Sequence, residues 1–342
     1  MFSESDLDEA AEAGAITPDE VERLRRFQSE RRRAPGIDEE EFRLVTGFND
    51  IFVSLAAIIA LFAVAALGSA IAPFIGAVAV AGLSFWLAKL FTAKRRMALP
   101  SIILLAGFVG GVASAIGALG GGPLAAIAAA FAAWVHWRTY RVPITISFGT
   151  GALVILWLSL FDGQFNLSNN DEVFLVAVLV AGLAVFALAM WWDRSDPGRV
   201  TRRSDIAFWL HLQAATLIVH PLFWLTGLAQ NSRSVGGAAG VFLIYLLLSL
   251  VALAIDRRAL LVSALAYVLF ALGAMIFKFG VTGLAVPLTA LTIGSALLLL
   301  SALWHQARRA LVRLLPATWR GWLPDLDRPA PASKQLSPAP AA

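Results

Sequence analysis

The sequence predicts an all-α protein, a bundle of about ten helices that crosses a membrane. Hydrophobic residues occupy 59% of the 342 positions and charged residues only 15%, and the mean hydropathy is +0.75. These values lie outside the usual range of soluble globular domains. The second observation is a series of long apolar runs, since a membrane helix needs roughly 20 such residues. The third is that basic residues collect in alternate connections between those runs.

The highly charged N-terminal segment, residues 1–48, is predicted to form a small cytoplasmic helical hairpin and a linker. Its first half ends at Gly14, a residue type that commonly follows a helix. The stretch "TPDEVERLRRF" then places Thr17 at the N-cap, Pro18 at the first helical position and Glu20 three residues after the cap, a capping box. Two interpretations of residues 1–33 are open: a module that binds a cytoplasmic protein partner, or a solvated extension.

The transmembrane domain is expected over residues 49–304. The first apolar run is about twice the length of one span, so we expect it to fold back around Gly68, Ser69 and Pro73. The fourth span is short and rich in alanine. The ten predicted spans are Ile51–Ala70, Ile71–Phe91, Leu99–Gly117, Pro123–Trp137, Pro143–Phe161, Glu172–Trp192, Ile206–Leu228, Gly237–Ile255, Ala259–Phe277 and Gly283–Trp304.

The basic residues test this count, because Arg and Lys collect in cytoplasmic connections. With the N-terminus inside, 24 of the 27 Lys and Arg fall on the cytoplasmic side. Arg257 and Arg258, between the eighth and ninth spans, are counted among them. This alternation predicts that both termini lie in the cytoplasm. The basic surplus then faces anionic lipid and is not a nucleic-acid-binding surface.

Tryptophan follows the same pattern, because amphipathic rings favour the membrane interface. Trp137, Trp191, Trp192 and Trp304 fall at the predicted inner ends of spans. After the last span, residues 305–342 begin with a basic amphipathic segment that contains Arg308, Arg309 and Arg313. We expect this segment to lie on the cytoplasmic leaflet, and the Pro/Ala-rich tail after it to be disordered.

Several kinds of chemistry are disfavoured. No Asp, Glu, Lys or Arg is predicted in the middle third of any span, which argues against a pump that uses an intramembrane carboxylate. The chain has no cysteine and shows no His cluster with metal-ligand spacing, no phosphate-binding Gly-Lys loop and no Ser/His/Asp arrangement. We therefore expect no metal, no cofactor and no enzymatic activity.

The best candidate site lies in the seventh span, "DIAFWLHLQAATLIVHPLFWL". Gln213, Thr216 and His220 share one face of the helix, and Pro221 frees the carbonyl of Leu217, where the helix could kink. These four positions, Gln213, Thr216, His220 and Pro221, form the predicted polar strip. His211, a secondary candidate, points nearly the opposite way. The strip either lines a solute path or supplies hydrogen bonds between helices.

Two pairs of predicted spans have similar sequences, and each pair has one span in each half of the domain. The fifth span opens "VPITISFGTGALVILW" and the tenth opens "VPLTALTIGSALLLLS", so Thr289 and Thr292 are further candidates. The first and sixth spans also resemble one another. Five spans in each half would make residues 49–161 and 172–304 inverted repeats, an arrangement that many transporters use. Apolar composition alone also produces partial matches of this kind.

Small residues in the third span predict close helix packing. Gly107 and Gly111 are four residues apart, and so are Gly110 and Ser114. This small-xxx-small spacing lets two helix backbones approach closely. We therefore expect both pairs to lie against a neighbouring helix.

Two family resemblances follow from these motifs. The stretch "AGAITPDEVERLRRF" and the tail "LWHQARRALVRLLPATWRGWLP" resemble the DUF2157 family of bacterial membrane proteins, over residues 1–90 and the C-terminus. That resemblance implies an inner-membrane location and no particular activity. Ten spans with both ends inside are similar to the drug/metabolite transporter superfamily, from which the charged head departs. Two functions stay open: a structural or regulatory membrane protein with a partner-binding head, or a small-solute transporter.

Overall fold

The described part of the chain is all-helical. The computed structural model describes residues 14, 17, 19–23, 48–165, 170–196, 201–228, 235–258, 285–316 and 323, and some positions between 261 and 273. No strand occurs among these residues, so the all-α class is confirmed. The chain divides into two compact units. One comprises residues 1–41 and 325–342, and the other comprises residues 42–324.

In the first unit the predicted capping box is present. The Thr17 amide and hydroxyl both donate to Glu20 Oε2 at 2.8 Å, and the Glu20 amide donates to Thr17 Oγ1 at 3.3 Å. Residues 19–23 are helical after this cap. Gly14 has a φ of 71°, the left-handed conformation expected of a residue that follows a helix. The rest of the predicted hairpin lies outside the described residues.

The second unit contains the apolar helices. They are α1 (Phe48–Ser69), α2 (Pro73–Ala88), α3 (Ala98–Gly117), α4 (Gly122–Tyr140), α5 (Ile144–Phe165), α6 (Asp171–Arg194), α7 (Arg202–Leu225), α8 (Val235–Ile255) and α9 (Ala285–Leu314). A π-helical turn, Lys89–Lys94, extends α2. The predicted reversal is confirmed, because α1 ends at Ser69 and α2 begins at Pro73.

Six described helices are long and apolar enough to cross a membrane: α1, α2 with its π-helical turn, α3, α5, α6 and α7. The bent pair Ala290–Ala296 and Ser301–Leu314 in α9, with 52° between its two parts, would make a seventh. The fourth and eighth predicted spans are helices as well, but they fall short of the same length and apolarity. The ninth predicted span is only partly described. The count of ten and the orientation of the termini therefore stay predictions.

Helices that follow one another in sequence pack side by side, and α6 with α7 form the most extensive contact. The pair Gly107 and Gly111 faces α2 as expected. A Cβ on Gly111 would lie 2.8 Å from the Ala81 amide nitrogen, and one on Gly107 would meet the Ser84 hydroxyl, which also belongs to α2. The prediction for Gly110 is wrong, because a Cβ there would meet no atom within 4 Å. Gly110 lies on the side of α3 that faces away from α2.

Candidate functional site

Gln213, the first member of the predicted polar strip, crosslinks α7 to α5. With the carboxamide nitrogen facing the hydroxyls of α5, Nε2 donates to Thr150 Oγ1 at 2.7 Å and to Ser147 Oγ at 3.0 Å. Oε1 accepts the Gly151 amide at 3.0 Å. This orientation is the consistent one, because the Thr150 hydroxyl already donates to a carbonyl of its own helix and offers its oxygen as an acceptor. Both ends of the carboxamide are thus engaged by one neighbouring helix.

The other strip residues do not share that contact. Thr216 is exposed, and its hydroxyl donates to the Gln213 carbonyl at 2.8 Å within α7. His220 Nδ1 lies 2.5 Å from the Tyr267 hydroxyl, so its partner belongs to the segment after α8. The structure therefore divides the predicted strip into a Gln213 contact with α5 and a His220 contact elsewhere.

Pro221 is buried, and α7 continues through it to Leu225 as one helix. The turn whose carbonyl the proline frees lies directly against α6. A Cβ on Gly182 would be 2.9 Å from the carbonyl carbon of Leu217. Glycine at this position lets the α6 backbone pack closely on the turn that precedes the proline.

The structure gives no contact with another helix for the candidate residues of α9, Thr289 and Thr292, as far as their side chains are described. Thr292 is exposed, and its hydroxyl donates to the carbonyl of Leu288 in its own helix at 2.8 Å. The side chain of Thr289 lies outside the described residues. Neither residue is placed in a site.

His211, the secondary candidate, belongs to a buried ionic cluster that the sequence did not predict. We define the Asp193 cluster as Asp193, Ser204, His211 and Arg257. The side chains of Asp193 and Arg257 are each 2% exposed, and that of His211 is fully buried. His211 Nε2 lies 2.8 Å from Asp193 Oδ2. Because a carboxylate only accepts hydrogen bonds, Nε2 carries the proton and donates.

Arg257 completes the cluster from a third direction. Its Nη2 donates to Asp193 Oδ1 at 2.5 Å, and its Nε donates to Oδ2 at 3.3 Å, which is the two-point geometry that favours Arg with carboxylates. Nη2 also lies 3.3 Å from both the carbonyl and the hydroxyl of Ser204. One guanidinium therefore joins the end of α6 to the beginning of α7.

Local structure explains why these residues meet. Asp193 lies in the last turn of α6, the negative end of the helix dipole, so its charge needs donors from other elements. Asp256 follows α8 with a φ of 55°, and the Arg257 amide donates to the Ala252 carbonyl at 2.9 Å. This bond closes the helix in a Schellman-type turn. The turn reverses the chain and sends Arg257 inward.

A second buried contact lies beside the cluster. Trp304 Nε1 donates to Asp256 Oδ1 at 2.6 Å, and Arg308 Nε lies 3.8 Å from the same oxygen. Arg258 is stacked over the Trp304 ring at 4.9 Å. Trp304, which was expected at the inner end of a span, has its side chain buried against the bundle. Arg308 is also buried, whereas it was expected on the leaflet surface.

Arg257, which the positive-inside count placed in a cytoplasmic connection, is 2% exposed. The available signal was a set of ionisable residues at the same predicted depth: Asp193 at the end of one span and His211 near the start of the next. Among the described residues, no group of three or more His, Asp or Glu side chains could hold a metal ion. Both oxygens of the Asp193 carboxylate accept hydrogen bonds from N–H donors. The cluster therefore links α6, α7 and the segment after α8 through buried charged groups.

No family model, curated protein or solved structure matches this chain. The resemblance to the DUF2157 family and the similarity to the drug/metabolite transporters therefore remain expectations.

Proposed function

We propose that the chain is a multi-pass protein of the bacterial inner membrane with a structural or regulatory role, with both termini in the cytoplasm. The observation that supports this proposal is the burial of α7 among its neighbouring helices. It is the most enclosed of the candidate spans, with half of its most apolar window buried. Its inward polar side chains contact neighbouring helices, so they act as crosslinks within the bundle.

The hydrogen bonds of Gln213 favour a crosslink between helices over a solute path. A solute path needs polar groups that can exchange partners with a passing molecule. The Gln213 carboxamide instead has two hydroxyl acceptors and one backbone donor in α5. Breaking these bonds inside the bundle would leave polar groups unsatisfied in an apolar environment, which costs about 1–3 kcal/mol per group. Interhelical bonding by such side chains is the usual arrangement in membrane bundles.

We also propose that residues 1–33 bind a cytoplasmic protein partner. The capping box fixes the start of a helix at Thr17. In the turn that follows, the side chains of Asp19, Glu22 and Arg23 are exposed and Val21 is buried. A helix of fixed start with charged exposed positions is suited to recognising a complementary charged surface.

Thiol labelling tests the proposed role of α7, because the natural chain contains no cysteine. Ser147→Cys places a single thiol beside Gln213, and Arg309→Cys provides an exposed control on α9. We expect a membrane-impermeant maleimide to label the control in open membranes and to leave the thiol at position 147 unlabelled. Rapid labelling at position 147 would show water beside Gln213, and the solute-transporter alternative would then replace the structural role.

A further inference from the structure

The first half of the apolar unit has an unusual charge distribution. Residues 51–161 contain six Lys and Arg and no Asp or Glu. All six are exposed, and none forms an ion pair within the described part of the chain. We call them the cationic patch. They are Lys89, Lys94, Arg95, Arg96, Arg138 and Arg141.

The structure brings the two connections that carry these residues together. Tyr140, the last residue of α4, donates its hydroxyl to the Phe85 carbonyl of α2 at 2.9 Å. Its ring lies 5.5 Å from that of Phe85 and packs on the cluster that contains Ala88. The end of α4 is thus fixed on the end of α2. The cations that follow each helix end therefore share one end of the bundle.

Two arginines of the patch have an unusual backbone conformation. Arg96 and Arg141 have φ values of 52° and 53°, in the left-handed region. Glycine adopts this conformation without the steric cost that a Cβ brings, and it is the residue usually found there after a helix. Arginine at both positions therefore has a backbone strain that glycine would avoid. Strain of this kind often occurs at functional sites.

Two cations of the second half of the unit are instead paired inside the protein. Arg257 is buried on Asp193, and Arg308 lies against Asp256. Those charges are neutralised within the protein, whereas the six cations of the patch have no carboxylate partner among the described residues. Within the described residues, no side chain supplies their complementary charge.

We propose that the cationic patch is a docking surface for anionic phospholipid headgroups. This proposal rests on the membrane location proposed above, because α2 and α4 deliver the patch to the end of apolar helices. A headgroup phosphate at that level meets several guanidinium and ammonium groups at once. Arg138 lies 5.8 Å from the exposed ring of Trp134, an arrangement suited to the interface between headgroups and acyl chains.

The test uses the full-length chain purified in detergent and titrated with phosphatidylglycerol or phosphatidylcholine. Bound lipid is counted by native mass spectrometry. The patch variant is K94Q/R96G/R141G, in which both glycines relieve the left-handed strain and so favour folding. The matched control R202Q/R203Q/R309Q removes three exposed cations outside the patch.

We expect the wild type to prefer phosphatidylglycerol and the patch variant to bind it on the order of 100-fold more weakly. Each cation near an anionic surface contributes roughly fivefold, and three are removed. The control should lose less affinity than the patch variant, because its three cations lie outside the patch. The proposal is overturned if the patch variant binds like the wild type, or if the control loses as much affinity as the patch variant.

Failure of the membrane proposal gives a separate signal. Wild type and variants are extracted from cell membranes with alkaline carbonate before purification. Release of the wild type into the supernatant would contradict a multi-pass protein, whatever lipid it binds in detergent. Retention of every chain in the pellet, together with unchanged lipid affinity of the patch variant, would overturn the docking surface alone.

Discussion

Replacing Arg257 by methionine should destabilise the apolar unit strongly, because it leaves the carboxylate of Asp193 buried without its main counter-ion. Both side chains are 2% exposed and are joined by two contacts, at 2.5 and 3.3 Å. Removing one partner of a buried ion pair typically costs about 3–5 kcal/mol. Methionine fills a similar volume, so the loss is mainly electrostatic and does not come from a cavity.

The assay is the temperature at which half of the detergent-purified chain loses its monodisperse peak on size-exclusion chromatography. For a chain of this size, 1 kcal/mol corresponds to roughly 2 °C or somewhat more. Arg257→Met should therefore lower the midpoint by about 6–10 °C. Arg203→Met makes the same chemical change at an exposed position of α7 and should shift it by about 1 °C or less.

The double variant Asp193→Asn with Arg257→Met separates charge from packing. If the cost arises from an uncompensated charge, the double variant should be more stable than Arg257→Met alone, because it removes both charges. A coupling of about 2 kcal/mol or more is expected for residues in direct contact. The reasoning is refuted if the two substitutions add, or if Arg257→Met shifts the midpoint no more than Arg203→Met does.

Three further predictions follow from single positions. Gly182→Val should lower the stability measured in the same assay by about 1–3 kcal/mol, because the new side chain meets the Leu217 backbone. Gly110→Val, at a position with no neighbouring atom within 4 Å, should be nearly neutral. Equal losses would contradict the packing of α6 on α7. The Thr17 amide and hydroxyl lower the pKa of Glu20, so the cap is complete above the ordinary carboxyl pKa and is lost as pH falls through the lowered value. A carbon-13 titration should show the lowered pKa in the wild type, and Thr17→Ala, which removes the hydroxyl and keeps the amide, should reduce the shift without abolishing it. Single cysteines at Ser3 and Ala341 should react with an impermeant maleimide only after the membrane is permeabilised, and labelling of either in intact cells would contradict the predicted orientation.

Local features of the fold could be predicted from the sequence because they depend on neighbours along the chain. The capping box needs only Thr17 and Glu20, three residues apart, and the reversal after Gly68 needs only a run too long for one span. Helix existence follows in the same way from apolar composition. Each of these predictions uses information within a few turns of backbone, and the structure agrees with all of them.

The Asp193 cluster could not be predicted, because helical periodicity gives the face of a residue but not the helix that it meets. Asp193 and Arg257 are 64 residues apart, and they touch only because Asp256 reverses the chain. A positive φ at a non-glycine residue leaves no pattern in composition. The positive-inside count placed Arg257 in a cytoplasmic connection, and that rule concerns which side of a membrane a cation occupies and says nothing of burial.

The polar strip shows the same limit on a shorter scale. The shared face of Gln213 and His220 follows from helix geometry, but a face of α7 is long enough to touch two different partners. Ser147 and Thr150 of α5 take Gln213, and Tyr267 takes His220. Periodicity therefore identified residues that bond across helices, and only the three-dimensional packing divides them.

Charge distribution also bears on the proposed inverted halves. When the first and sixth spans are aligned by their shared pattern, the position that corresponds to Asp193 is Ile71, an exposed apolar residue. The buried ion pair therefore belongs to one half only, and the acid-free cationic patch belongs to the other. A common ancestry of the halves would be compatible with this difference, but a shared site at their pseudo-symmetry axis would not, since such a site needs matched polar groups from both repeats. The asymmetry thus favours a bundle whose two halves have different roles. The second half is crosslinked by a buried ion pair, and the first half exposes its cations at the protein surface.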